Sequence, residues 1–217
     1  MQLSWITAAI NSIADFGLRI GGQGKLTPAI QSAIRNPQSA ILGMPSLLLT
    51  GVPGSGKTTV IRKVAERLAG HRLAGFLTDE IRSEHGREGF RMITLDGHGA
   101  VMAHVGFRMP HRVGKYGVDV PAIDRLVEFA LKLDPRVNVY VVDEIGKMEC
   151  LSEAFVERMQ SVLDSGKPVV ASVAQKGEGF VREVKGRPDA VVWQVTHQNR
   201  NALPDSVFDW IKAELKR

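Results

Sequence analysis

The chain has 217 residues, 44% of them hydrophobic and 24% charged, which is the composition of an ordinary globular protein with one substantial core. Its net charge of +5 suits an anionic ligand, and nucleic acid is compatible with that charge but not required, because basic and acidic residues are interspersed. A single cysteine excludes an intramolecular disulfide and no apolar run is long enough to cross a bilayer, so we expect a cytoplasmic protein with no membrane partner.

The first 45 residues are predicted to form a helical extension. Apolar residues recur three or four positions apart between residues 2 and 20, and Thr27-Pro28 is typical of the start of a second, shorter helix. This stretch has no polar constellation that indicates chemistry, and its pattern favours packing over membrane attachment. We therefore predict an extension over 1–45 and a main domain over 46–217.

A glycine-rich motif follows a short apolar run at residues 46–49. Residues 51–58 fit Gly-x-x-x-x-Gly-Lys-Ser/Thr, and the residues after them have helical spacing. Such a strand, loop and helix form a phosphate-binding loop, in which backbone amides and the helix N-terminus face the phosphate oxygens. Lys57 is predicted to contact the β- and γ-phosphates, and the Thr58 hydroxyl to hold Mg²⁺. The predicted nucleotide-binding residues are Gly51, Val52, Pro53, Gly54, Ser55, Gly56, Lys57, Thr58 and Thr59.

The middle of the chain is predicted to add strands that are not all parallel. Residues 73–78 are predicted to form a second strand that runs out into 79–82, and 89–95 with 100–105 to form a hairpin around a turn of Asp, Gly and His. Residues 106–119 are punctuated by glycine, carry several cations and are predicted to be a loop. Helical spacing returns over 120–133.

A second candidate site lies at the end of the β-branched run at residues 137–142. Asp143 and Glu144 follow this strand directly, at the sheet edge where open α/β sheets bind ligands. Asp143 is predicted to hold Mg²⁺ together with Thr58, through a water molecule, and Glu144 to orient or deprotonate the attacking water. Lys57 and Glu144 are thus the predicted catalytic residues.

The rest of the chain alternates between helices and strands. Helices are predicted at 152–164, 180–185 and 204–216, and strands at 168–173 and 190–195. This alternation predicts an α/β fold with a mainly parallel sheet covered by helices on both faces, and with an antiparallel hairpin inserted.

Residues 46–217 closely resemble the small P-loop nucleoside-triphosphatase family, which is known from thermophilic bacteria and archaea and has a cancer-related human member. The resemblance implies a core like that of the RecA-type ATPases and Mg²⁺-dependent hydrolysis of nucleoside triphosphates with broad tolerance of the base. At one matching segment the chain departs from the family, which continues Asn-Arg with Asp where this chain has Asn201. The segments that carry the resemblance are residues 51–59, 75–82, 89–91, 113–118, 142–149 and 199–200.

The resemblance implies hydrolysis of ATP, GTP, CTP, UTP and TTP to the diphosphate and phosphate. A small-molecule or nucleotide kinase is the alternative within enzymes, because the same loop serves transfer to other acceptors, with residues 106–119 as a candidate lid. A nucleotide-switched module that binds nucleic acid is the alternative outside enzymes. A further cation could contact the γ-phosphate, and the sequence does not select one of the four candidates, which are Lys147, Lys115, Arg182 and Lys185.

Overall fold

The computed structural model describes residues 46–216, which form a nine-stranded sheet flanked by helices. The extension predicted over 1–45 lies outside these residues, so the division of the chain at residue 45 stays a prediction. Within the described residues, no helix combines the length and the apolar character needed to span a bilayer.

The strands and helices follow the predicted order. The strands are β1 (Ser46–Thr50), β2 (Leu73–Ser83), β3 (Gly86–Thr94), β4 (Gly99–His104), β5 (Arg112–Val113), β6 (Tyr116–Val118), β7 (Val139–Ile145), β8 (Val169–Val173) and β9 (Ala190–Gln194). The α-helices are α1 (Lys57–Arg67), α2 (Val120–Ala130), α3 (Glu153–Leu163), α4 (Phe180–Gly186) and α5 (Leu203–Glu214), and a 3₁₀ turn spans Glu149–Leu151.

Five strands of the sheet are parallel and carry the two predicted sites. Their order is β2-β7-β8-β1-β9, and each neighbouring pair in this series is parallel. The carboxyl ends of β1 and β7 therefore meet the same edge of the sheet, with β8 between them. This confirms the predicted α/β fold and places the phosphate loop and the acidic pair at one edge.

The two faces of the sheet follow from the alternation of side chains along each strand. In β7, Val139 and Val141 face the cluster that contains α1 and α5, while Tyr140 and Val142 face the cluster that contains α2, α3 and α4. All four side chains are fully buried. Burial on both faces explains why β7 is read in the sequence as a continuous apolar run.

The antiparallel part of the sheet is larger than predicted. Strand β3 pairs with both β2 and β4, so the predicted hairpin is present and a second one precedes it. The prediction of a loop over 106–119 is wrong in part, because β5 and β6 lie there and β6 pairs with β4. These strands have only two and three residues, which is too short for a period-2 pattern to be seen.

Candidate active site

The phosphate-binding loop leaves the end of β1 and enters α1 through Gly56. Gly56 is the N-cap residue of α1, has a φ of 103° that only glycine adopts readily, and provides no capping side chain. At the other end of the loop, a Cβ added to Gly51 would lie 2.4 Å from the Val195 carbonyl oxygen. The loop therefore has room only for glycine at Gly51, and it presents the open N-terminus of a helix to solvent.

Lys57 bridges the loop and the acidic pair. Its side chain is 9% exposed, and its Nζ atom donates a hydrogen bond to the Gly51 carbonyl oxygen at 3.2 Å. The same Nζ atom lies 3.7 Å from Glu144 Oε2. The structure thus brings together the two residues that the sequence predicts to be catalytic.

Asp143 is fully buried and is held by two hydroxyl groups. Ser172 of β8 donates a hydrogen bond of 2.6 Å to Oδ1, and Thr78 of β2 donates one of 3.0 Å to Oδ2. Among the described residues, no lysine or arginine forms an ion pair with this carboxylate. A buried carboxylate with only neutral partners is a favourable place for a cation.

Glu144 follows Asp143 and is half-buried. Burial raises the pKa of the Glu144 carboxyl, and the nearby Lys57 ammonium group opposes this by lowering it. The charge of Asp143 adds to the upward shift. A carboxyl group with a raised pKa at the open end of a phosphate site can accept a proton from water.

Glu149 is a member of the site that the sequence analysis did not single out. It is 4% exposed, and burial, followed by the charge of Glu144, raises its pKa to about 8. Its Oε2 atom and Glu144 Oε1 both lie close to Gly146, at 2.9 and 3.2 Å from a Cβ placed there. Glu149 is therefore a protonated carboxyl at neutral pH, packed beside the Glu144 side chain.

The four cations named for the γ-phosphate have different surroundings. Lys185 Nζ donates to the carbonyl oxygens of Ala174 and Gln175 at 3.1 Å each, so it holds the turn that follows β8. Lys115 Nζ lies 5.5 Å from the centre of the Tyr116 ring. Lys147 and Arg182 are exposed. These surroundings do not select one of the four cations, so the further contact at the γ-phosphate stays a prediction.

The remaining predicted residues lie in the loop and in the first turn of α1. Thr58 is half-buried in the first turn of α1, Thr59 is exposed, and Val52, Pro53 and Gly54 form the exposed tip of the loop. The Ser55 hydroxyl is buried without a hydrogen-bond partner among the described residues. Besides Glu149, Thr78 and Ser172 were missed, and they are hydroxyl residues in the two strands beside β7. Ser172 is the one polar residue of β8, whereas Thr78 stands directly before Asp79 and Glu80 in β2.

Comparison with known proteins identifies the family. The family model described as NTPase matches residues 46–208. The nucleoside-triphosphatase THEP1 of Thermotoga sp. strain RQ2 is 37% identical over 167 residues, which cover 76% of this chain and 95% of that protein. The human cancer-related nucleoside-triphosphatase is 36% identical over 178 residues, covering 74% and 94% of the two chains.

Solved structures agree with this assignment. The crystal structure of THEP1 from Aquifex aeolicus matches with a TM-score of 0.66 at 34% identity, over 77% of this chain and 99% of that one. The solution structure of the human cancer-related nucleoside triphosphatase matches with a TM-score of 0.67 at the same identity, over 78% and 98%. The α/β sheet described above is thus the P-loop NTPase fold, and the chain belongs to the NTPase family.

Proposed function

We propose that this protein hydrolyses nucleoside 5′-triphosphates to nucleoside diphosphate and phosphate, with Mg²⁺ as cofactor and broad tolerance of the base, so that ATP, GTP, CTP, UTP and TTP are all substrates. The observation that carries the proposal is the contact of Lys57 Nζ with Glu144 Oε2 at 3.7 Å, which joins a phosphate-binding loop to a candidate base. The names of the relatives support the same reaction. Because the substrates are the common intracellular nucleotides and the chain has one cysteine, the proposal includes a cytoplasmic location.

The loop and Lys57 bind and orient the triphosphate in this proposal. Backbone N–H groups of the loop bind the phosphate oxygens, apart from Pro53, which has none, and Ser55, whose N–H donates to the Val52 carbonyl oxygen. The N-terminus of α1 adds a partial positive charge. Lys57 Nζ, which donates a hydrogen bond to the Gly51 carbonyl oxygen in this structure, exchanges this partner for β- and γ-phosphate oxygens when the nucleotide binds. Most of the catalysis comes from such positioning and charge stabilisation.

The residues around Asp143 fit a magnesium ion. Mg²⁺ prefers oxygen ligands, and Asp143 is a buried carboxylate that accepts hydrogen bonds from two hydroxyl groups. The described residues contain no group of three or more His, Cys, Asp or Glu side chains arranged to hold a metal. The Thr58 hydroxyl, Asp143 through water, and phosphate oxygens of the nucleotide are therefore the proposed ligands. When bound, the ion neutralises charge on the phosphates.

Glu144 activates the attacking water in this proposal. Its carboxylate accepts a proton as the water oxygen bonds to the γ-phosphorus, and the bond from that phosphorus to the β–γ bridging oxygen breaks. The raised pKa of Glu144 makes it a better proton acceptor than an exposed carboxylate. The products are the nucleoside diphosphate and inorganic phosphate.

The kinase alternative loses its candidate lid. Part of 106–119 is paired into the sheet as β5 and β6, and Arg112 donates hydrogen bonds to the carbonyl oxygens of Phe107 and Lys115. The segment is thus tied to the sheet edge by its own hydrogen bonds. A water acceptor needs no lid of this kind.

The test measures phosphate release by the purified full chain from each of the five triphosphates, with magnesium or with EDTA. We expect every triphosphate to give one phosphate for each diphosphate formed. This release should need magnesium and should need no added acceptor. Diphosphate formation that requires an added nucleoside or nucleoside monophosphate would instead support the kinase. Turnover that depends on added oligonucleotide and weakens with salt would support the nucleic-acid module.

A further inference from the structure

Arg200 lies against the phosphate loop, and the proposed mechanism gives it no role. A Cβ placed on Gly56 would be 3.1 Å from Arg200 Cδ and 3.7 Å from its Cβ, so the stem of the arginine crosses the loop where α1 begins. The residue is exposed, and within the described part of the chain its guanidinium group has no hydrogen bond or ion pair. A cation held beside a phosphate site without a protein partner is available to a ligand.

The backbone that carries Arg200 is fixed to the loop. Val195 donates a hydrogen bond of 2.6 Å to the Thr50 carbonyl oxygen, and its own carbonyl oxygen occupies the space beside Gly51. The Asn199 amide group accepts from the Thr196 backbone at 2.8 Å and donates to the Gln194 carbonyl oxygen at 2.8 Å. Arg200 is therefore presented from a folded turn, and Asn199 has used its amide group within that turn.

The sheet order indicates which part of a nucleotide meets Arg200. The acidic pair ends β7, on one side of β1, while Arg200 follows β9, on the other side. A triphosphate whose γ-phosphate lies near Glu144 passes over Lys57 and leads its nucleoside towards the β9 side. Residues 195–202 contain one permanently charged side chain, which is Arg200.

We propose that Arg200 binds the nucleoside half of the substrate by stacking its guanidinium plane on the face of the base. The inference rests on the proposed function, because it needs a nucleoside triphosphate in the loop. Guanidinium is planar and weakly hydrated, and it stacks on aromatic rings. Every base has such a face, so stacking supplies affinity without selecting a base. Arg200 is in this way a substrate-binding residue that is compatible with several bases.

The test compares nucleoside diphosphates with inorganic pyrophosphate, which has the phosphates but no nucleoside. The full-length wild type, R200M and R200K are titrated with ADP, GDP, CDP, UDP and pyrophosphate in the presence of magnesium. We expect R200M and R200K to bind all four diphosphates about tenfold more weakly and pyrophosphate as the wild type does. In turnover, KM for each triphosphate rises while kcat stays the same.

The control variant is R125M, which removes an exposed arginine from α2 and should bind every ligand as the wild type does. An equal loss for pyrophosphate would assign Arg200 to the phosphates and overturn the stacking proposal. So would wild-type affinity in R200K, which keeps the charge but not the plane, or a loss confined to one base. If R200M binds every ligand as an active wild type does, the role of Arg200 is overturned and the proposed function stands. A wild type that neither binds nor hydrolyses nucleotides overturns the proposed function as well.

Discussion

Ser172 Oγ lies 2.6 Å from Asp143 Oδ1, and this hydroxyl group donates a hydrogen bond to the carboxylate. Thr78 makes the corresponding contact with the other oxygen at 3.0 Å. Strands β8 and β2 lie on the two sides of β7, so the carboxylate is oriented from both neighbouring strands. Such outer contacts fix the direction in which a metal ligand presents its remaining lone pairs.

Replacing Ser172 with alanine should weaken the binding of magnesium at the proposed site. The change removes one of two hydroxyl donors to a buried carboxylate, and we expect the magnesium concentration for half-maximal phosphate release to rise about tenfold. The measurement is a magnesium titration at fixed nucleotide. S161A is the matched control, because the Ser161 hydroxyl only donates to the Glu157 carbonyl oxygen on α3. Equal titrations of S172A and wild type would contradict the role given to this hydrogen bond.

Replacing Glu144 with glutamine should separate binding from turnover. The amide group keeps the size of the side chain but accepts protons poorly, so phosphate release should fall by about 100-fold or more. Nucleotide affinity, measured by calorimetry, should stay within a few-fold of wild type, because the loop and Lys57 are intact. E157Q, on the exposed side of α3, should behave as the wild type. Near-normal turnover in E144Q would remove Glu144 from the reaction.

Replacing Gly51 with alanine should damage both stability and nucleotide binding. The new Cβ would lie 2.4 Å from the Val195 carbonyl oxygen and 2.7 Å from Ser55 Oγ, so the loop or the segment that follows β9 must shift. We expect a loss of about 1–3 kcal/mol in the free energy of unfolding, which thermal denaturation measures. G70A is the control, since nothing lies within 4 Å of a Cβ at Gly70. Identical melting temperatures for the two variants would show that the loop tolerates the contact.

Glu149 should make the protein less stable as the pH rises. Its pKa is about 8 when folded and near 4.5 when exposed, so between these values the folded state keeps a proton that the unfolded state releases. Rising pH therefore favours unfolding, with a limiting slope of about 1.4 kcal/mol per pH unit. The contribution of this group is fully present below pH 4.5 and is lost as the pH rises towards 8.

The E149Q variant tests this dependence, because glutamine has the same shape and does not titrate. Its melting temperature relative to wild type should increase steadily from pH 5.5 to pH 8. The exposed variant E157Q should show no such trend. Parallel curves for E149Q and wild type would contradict the shifted pKa.

Local sequence patterns predict the main elements of the candidate site. The phosphate loop, Lys57 and the acids at the end of β7 are each encoded by a continuous stretch with its own periodicity, and the structure places Lys57 against Glu144. The boundary of α2 was less accurate, since helical spacing continues to Leu133 while the helix ends at Ala130. Boundaries depend on terminal hydrogen bonds that the apolar pattern does not describe.

The contacts between distant segments could not be predicted in the same way. Thr78 and Ser172 become partners of Asp143 only because β2 and β8 both pair with β7, which is a property of the strand order. Glu149 lies in a 3₁₀ turn whose burial depends on how it folds back beside Gly146. A local signal was present only for Ser172, which is the one polar residue of β8, whereas Thr78 and Glu149 have other polar residues close by in the sequence.

Strand β8 separates the two halves of the candidate active site by the width of one strand. Neighbouring strands lie about 4.8 Å apart, so the ends of β1 and β7 are held roughly 10 Å from each other by backbone hydrogen bonds. Side-chain substitutions in either half can thus change its chemistry while the distance between the ends of β1 and β7 stays the same. Conversely, a proline that interrupts the pairing of β8 would misalign the reaction without altering any reactive group.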